Sequence, residues 1–386
     1  MSKTKVLHIL YEIMPSGAEM MLFSAYPYWS KECEMYILAT GPSEGTYANE
    51  LRQRGYHIDY LPIQEGSAPG GESKINKIEH LFAFRKYIQQ NSFDAVHIHK
   101  ESLSENYAKI CAKCGVKTIV RTVHSTFLFE GALRARKARS RNKMKNKYGV
   151  NFVAISDGVA ENEKNVFGNL CNHTIYNWCD DSKYTFICEE DKQRGKADGG
   201  VQDKFTILTL ATCNDVKNHE LLIRAIAKMK RKDKIYYYHV GYRKNETEEE
   251  EDLARELGIT EQVLFVGFTN PRPYLERTDL FVMTSIREGL SIAALEALFS
   301  GVHLLLADSP GLIEFDNKGF PAVNYFHMDR EIPAGEENVV RLADELDAMV
   351  EMWEQNQLIN SEQQRTIASR IYSAEVGAKK YLELYL

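Results

Sequence analysis

The sequence has little of what marks the common nucleotide enzymes. No two glycines are separated by a single residue anywhere in its 386 positions, so it has no Gly-x-Gly-x-x-Gly turn, and a nicotinamide enzyme is not expected. No Gly-x-x-x-x-Gly is followed by lysine, the pair Gly195 and Gly200 being followed by Val201 and the pair Gly66 and Gly71 by Glu72, and kinase and ATPase readings fall with it. Asp-x-Asp, a carboxylate pair that would hold a divalent ion against a diphosphate, does not occur. Phosphate charge then has to be met by backbone amides and basic side chains. Apolar runs are short, as at 304–307, far below the roughly 20 residues that cross a bilayer. The first residues enter a strand pattern with no signal peptide, so a cytoplasmic protein is expected. Seven cysteines, an odd number, read outside the secretory route as reduced small core residues. The Cys-x-x-Cys formed by Cys111 and Cys114 has no second pair to complete a zinc site and reads as packing. A net charge of -6 is mild at this length, and nucleic acid is not expected as a partner.

A chain of this length exceeds one comfortable hydrophobic core, so two domains are expected. Short β-branched runs at 5–10, 34–40, 57–61, 95–99, 117–124, 151–155 and 173–177 alternate with amphipathic stretches, and helical spacing is clearest at 75–90 and 158–167. That alternation is the pattern of a parallel sheet covered by helices. Residues 180–204 are polar, with Gly195, Gly199 and Gly200 close together, and read as a linker. A second alternating series follows at 205–210, 234–240, 263–267, 280–283 and 303–307. The expected organisation is an N-terminal Rossmann-like acceptor domain at 1–182, a linker at 183–203, a Rossmann-like donor domain at 204–370, and a helix at 371–386 that packs back on the first domain. The acidic run Glu248 to Asp252 suits a solvated first helical turn.

The segment Glu288-Gly289-Leu290-Ser291-Ile292-Ala293-Ala294-Leu295-Glu296 follows one of these strands and opens a helix. Glycine and serine at such a turn leave amides at the helix N-terminus, where a diphosphate can sit. Glu288 could accept hydrogen bonds from sugar hydroxyls, and Glu296 from a vicinal diol such as a ribose. Spacing alone equally allows a surface glutamate and a partly exposed helix residue.

The two glutamates form a Glu-x7-Glu pair, and other landmarks agree with it in order along nearly the whole chain. They are Met14-Pro15-Ser16-Gly17-Ala18-Glu19, Asp94-Ala95-Val96-His97-Ile98-His99, Thr122-Val123-His124, Val153-Ala154-Ile155-Ser156, Ile175-Tyr176-Asn177-Trp178-Cys179-Asp180 and Lys217-Asn218. Together they resemble the retaining glycosyltransferases of family 4, in glycosyl transferases group 1. The resemblance implies an α/β protein of the GT-B fold, two Rossmann-like domains facing each other across a cleft. It implies transfer of a sugar from a nucleotide-sugar, expected to be a UDP-sugar, to a glycan or lipid-linked acceptor in surface polysaccharide synthesis. No metal and no cofactor are implied. By resemblance Glu296 holds the ribose, Glu288 the donor sugar, and Lys217 with amides around Gly289, Leu290 and Ser291 the diphosphate. Val266, Gly267 and Phe268 would contact the base, Gly17 would let backbone approach the phosphates, and His124 would sit near the reacting carbon.

Taken alone, His124 reads as a satisfied histidine at a strand end. His97 and His99 share a strand face but show no third metal ligand, and read as packing or cleft lining. Where the family often has Gly-Arg, this chain has Ala211-Thr212. Arg243 is a candidate replacement for that cation, and the loss keeps open a second function, a catalytically weak nucleotide-sugar-binding partner of another transferase. Finally, Arg134, Arg136, Lys137, Arg139, Arg141, Lys143, Lys145 and Lys147 follow the apolar Phe127, Leu128 and Phe129 without an acid among the cations. The run is expected to attach weakly to an anionic membrane, and a solvated helix face is the bland alternative.

Overall fold

The computed structural model describes residues 3–63, 74–241, 249–330, 335–358 and 360–386. The chain forms two α/β units, one of residues 1–180 with 372–386, the other of residues 181–371. The first is built on a parallel sheet of β1 (Thr4–Leu10), β2 (Cys33–Ala39), β3 (His57–Tyr60), β4 (Ala95–Ile98), β5 (Thr118–Val123), β6 (Val150–Ala154) and β7 (His173–Thr174), in the order β3-β2-β1-β4-β5-β6-β7. The second holds β8 (Phe205–Leu210), β9 (Ile235–Val240), β10 (Val263–Gly267), β11 (Leu280–Met283), β12 (His303–Ala307) and β13 (Val323–Phe326), in the order β10-β9-β8-β11-β12-β13. Central strands such as β8 and β11 are buried along their whole length, as expected where helices cover both faces of a parallel sheet.

Two elements of the second unit depart from the sequence reading. The polar stretch read as linker contains a helix, Glu189–Asp198, that belongs to the second unit. Its inner face is made of Lys192 and Lys196, whose ammonium groups meet the buried Asp279 at 3.6 and 2.5 Å. Their aliphatic stems supply the packing surface, so no hydrophobic period appears. The strand β13 also went unread: it is a short edge strand in which only Phe326 is fully buried.

The last helix, Ala374–Tyr385, lies in the first unit. Trp29, almost fully buried, donates its indole N–H to the Ala378 carbonyl at 2.8 Å. Tyr381 and Tyr385 reach the sheet at Thr122 and His97, at 2.8 and 2.7 Å.

Candidate active site

In a doubly wound sheet the loops that leave the two strands flanking the reversal of order diverge, and the crevice at their carboxyl ends is where a ligand can sit. In the second unit those strands are β8 and β11. The loop after β8 carries Lys217 and the loop after β11 carries Glu288, and the Lys217 ammonium meets the Glu288 carboxylate at 2.5 Å, both side chains partly exposed. The two loops are tied by backbone as well. Ile286 N–H donates to the Val216 carbonyl at 2.8 Å, and the Thr284 hydroxyl donates to the carbonyls of Lys217 and Asn218 at 3.0 and 2.9 Å.

Glu288 is also held from a loop the sequence did not flag. Its N–H donates to the Pro310 carbonyl at 2.8 Å, and Gly311, at φ +82°, brings its backbone so close that a Cβ there would stand 2.4 Å from the Glu288 carbonyl oxygen. Only glycine fits that combination of left-handed φ and contact. Gly241, just after β9, has a comparable role: a Cβ would fall 1.7 Å from the Ala211 carbonyl oxygen, at the start of the Lys217 loop.

Ser291 caps the helix Ile292–Ser300, its hydroxyl accepting from Ala294 N–H at 3.2 Å. Leu290 is buried, and Gly289 precedes it in the same turn. One turn into the helix, Glu296 keeps part of its surface open. Burial of its carboxyl nevertheless pushes the pKa up to about 7, against the opposing pull of the Tyr184 hydroxyl and the Lys183 charge. Neither Tyr184 nor Lys183 carried a sequence signal, because they lie in the stretch that read as linker. Val266 and Gly267 end β10, and Phe268, 66% exposed, follows them. Thr212 stands in the Lys217 loop, and Arg243 lies outside the described residues.

In the first unit the order reverses between β1 and β4. Gly17 opens the helix Gly17–Trp29 after β1. At the ends of β1, β4 and β5 four imidazoles gather. His8 Nδ1 lies 3.0 Å from His99 Nε2, and His99 Nδ1 lies 3.0 Å from His124 Nε2. Burial, reinforced at His124 by the Arg121 charge, lowers His8 and His124 to about 3 and keeps both rings neutral. His8 is the third imidazole that the sequence did not reveal beside His97 and His99, with one ring nitrogen of each within 4.8 Å of the others. Both nitrogens of His97 have partners, the Tyr385 hydroxyl and Thr122 Oγ1, each at 2.7 Å. His124 is thus the end of a neutral hydrogen-bonded chain rather than an isolated ring.

The basic run lies on the helix Gly131–Tyr148, and its cations are not equivalent. Arg141 is buried, bonded to Glu163 at 2.7 Å and to Glu101 at 3.2 Å, so it is not available to a surface. Lys137 and Lys143 pair with Glu101 and Glu105 at 3.0 and 2.5 Å. Arg134 and Lys145 donate to carbonyls of Val166 and Leu170. Arg136, Arg139 and Lys147 are exposed, with no ion pair among the described residues, and Leu128 is 66% exposed. Among the described residues no helix is long and apolar enough to cross a membrane.

Residues 191–364 match the family model of Glycosyl transferases group 1. Over 350 residues, 89% of this chain and 88% of its relative, the sequence is 25% identical to the putative glycosyltransferase EpsF of Bacillus subtilis. Over 117 residues, 30% of this chain and 31% of its relative, it is 34% identical to N-acetylgalactosamine-N,N'-diacetylbacillosaminyl-diphospho-undecaprenol 4-alpha-N-acetylgalactosaminyltransferase of Campylobacter jejuni. In fold it is similar to Anabaena Alr3699/HepE, whose structure was solved with UDP, at a TM-score of 0.80 and 17% identity over 98% of this chain and 99% of that one. The second unit thus carries a domain similar to Glycosyl transferases group 1, and the chain has the GT-B fold.

Proposed function

We propose that the protein is a retaining, metal-independent transferase of family 4 that moves a hexose from a UDP-sugar to a glycan or lipid-linked acceptor in surface polysaccharide synthesis. The observation that carries this reading is the direct contact of Lys217 with Glu288 across the β8 and β11 loops, with Glu296 half-buried a turn further on. The charges of Lys217 and Glu288 satisfy each other. On donor binding Lys217 exchanges its carboxylate for the diphosphate, and Glu288 becomes an acceptor for sugar hydroxyls. A cation beside the leaving diphosphate stabilises charge that develops as the sugar detaches, so no divalent ion is required for that step. Glu296 as a carboxylate accepts both ribose hydroxyls. The neutral His124 can exchange a hydrogen bond with the sugar, and as an uncharged ring it adds no positive charge near the reacting carbon. The retaining course and the choice of UDP follow the Glu288 to Glu296 resemblance and the UDP bound by the similar Anabaena protein. The lipid-linked acceptor follows the diphospho-undecaprenol in the name of the Campylobacter relative.

The test is a screen of nucleotide-sugars for slow hydrolysis to free nucleotide in excess EDTA. Turnover of a UDP-sugar that survives EDTA is expected. Turnover only after addition of magnesium or manganese would remove the metal-independent reading. Tight binding of a donor without any turnover would favour a nucleotide-sugar-binding partner, for which the threonine at position 212 already speaks.

A further inference from the structure

A second cluster of metal-ligating side chains lies at the foot of the Lys217 loop, apart from the groups assigned to the donor. Cys213 comes from that loop, His219 is the first residue of the helix His219–Lys228, and His239 is the last residue but one of β9. One ligand atom of each lies within 4.8 Å of the others. Cys213 Sγ stands 3.7 Å from His239 Nε2. A thiolate and an imidazole on one tetrahedral zinc are separated by about 3.6 Å, from bond lengths of about 2.3 and 2.05 Å. The His219 ring meets the His239 ring edge-on, centroids 4.5 Å apart. His219 Nε2 faces the Thr212 carbonyl at 3.4 Å, which takes the ring proton and leaves Nδ1 as a bare lone pair. That Nδ1 is buried in a residue 3% exposed and has no hydrogen-bond partner among the described residues. A buried nitrogen without a partner is costly unless something fills it. Cys213 is partly exposed, which gives an ion a way in and leaves room for a water as fourth ligand.

We propose that Cys213, His219 and His239 bind one thiophilic divalent ion of the zinc class. Cys213 and His239 already stand at the separation one ion requires, and the pairs with His219, within 4.8 Å, close by a movement on the order of 1 Å. The Cys213 thiol loses its proton to solvent as the sulfur–metal bond forms, so each ion bound releases one proton. One thiolate and two neutral imidazoles leave the centre with a net single positive charge, four residues before Lys217. The ion ties the loop, the helix and β9 together and so braces the lysine. It is not placed on the substrate, and the site is independent of the transferase reading, because its binding is measured without donor.

The experiment is titration of the full chain, stripped of metal and kept reduced, with cobalt(II), followed by displacement with zinc. One cobalt per chain with a thiolate-to-cobalt charge-transfer band, bleached by one equivalent of zinc, is expected. Cys213→Ser should abolish the band, and His239→Gln should weaken cobalt binding at least tenfold, while the control Cys171→Ser leaves both unchanged. Zinc at a hundredfold excess over its Kd should raise the Tm of the wild type by about 3 °C and leave that of Cys213→Ser where it was. Absence of the band in the wild type, or its survival in a folded Cys213→Ser protein, overturns the site. Should that variant fail to fold, unchanged cobalt affinity in His239→Gln overturns it equally.

Discussion

Glu296 titrates in the range where enzymes are assayed, and its charge decides whether it can receive a diol. With a carboxyl pKa of about 7, roughly one chain in ten carries it ionised at pH 6, half at pH 7 and nine in ten at pH 8. If the carboxylate is the form that accepts both ribose hydroxyls, affinity for a nucleotide-sugar should rise about tenfold between pH 6 and pH 8. A nucleotide-sugar is the right probe, since its diphosphate is esterified at both ends and does not titrate there. Glu296→Gln should remove the pH dependence and, at pH 8, weaken binding by about 1.5–3 kcal/mol, the worth of a hydrogen bond to a charged group. Stability measured without added donor gives an independent check with the opposite sign. A carboxyl raised above its ordinary 4.5 contributes stability that is full below that value and is lost as pH climbs through 7. The loss is at most about 3 kcal/mol and smaller to the extent that solvent reaches the group. Glu296→Gln should therefore be more stable than the wild type at pH 8 and indistinguishable from it near pH 4.5. Calorimetric titration across pH, beside thermal melts of both proteins, measures the two effects. Wild-type affinity that is flat from pH 6 to 8, or a slope that persists in the glutamine variant, refutes the assignment of Glu296 to the diol.

Glu288→Gln leaves Lys217 without its carboxylate partner but keeps the lysine for the diphosphate, so nucleoside diphosphate affinity should stay within about twofold while donor turnover falls at least tenfold; equal loss of both would place Glu288 on the nucleotide. Gly311→Ala should lower stability by about 1–3 kcal/mol and reduce turnover, because the added methyl meets the Glu288 backbone; a melt unchanged from wild type would mean that the loop simply yields. Neutralising Arg136, Arg139 and Lys147 together should release the protein from phosphatidylserine vesicles, each exposed cation being worth about 1 kcal/mol at such a surface. Cosedimentation that ignores the triple change would leave the basic helix as a solvated face.

The sheet strands were legible because they are short, apolar and β-branched; β8, β10, β11 and β12 begin and end where the pattern does. Where burial was achieved by other chemistry the sequence was silent. The helix Glu189–Asp198 buries lysine stems against an aspartate, and hydrophobic period cannot register that. The β7 strand shrank to two residues, His173 and Thr174, because an edge strand pairs on one side only. For the site, the order of motifs pointed to Lys217 and Glu288 as separate landmarks, 71 positions apart. Their contact depends on β8 lying beside β11, which is a property of strand order and not of either segment. The same holds for His8: nothing near it in sequence suggests a partner, and parallel register with β4 sets it opposite His97.

The return of the helix Ala374–Tyr385 to the first unit makes the order of synthesis differ from the order of folding. The sheet that begins at Thr4 lacks Ala378, Tyr385 and Tyr381, the late partners of Trp29, His97 and Thr122, until the whole of residues 181–371 has been made. At about 5–20 residues per second those roughly 190 residues take on the order of 10–40 s. Throughout that interval an apolar face holding an indole and a row of imidazoles waits on the nascent chain without its cover, and the second domain is free to fold before the first is finished.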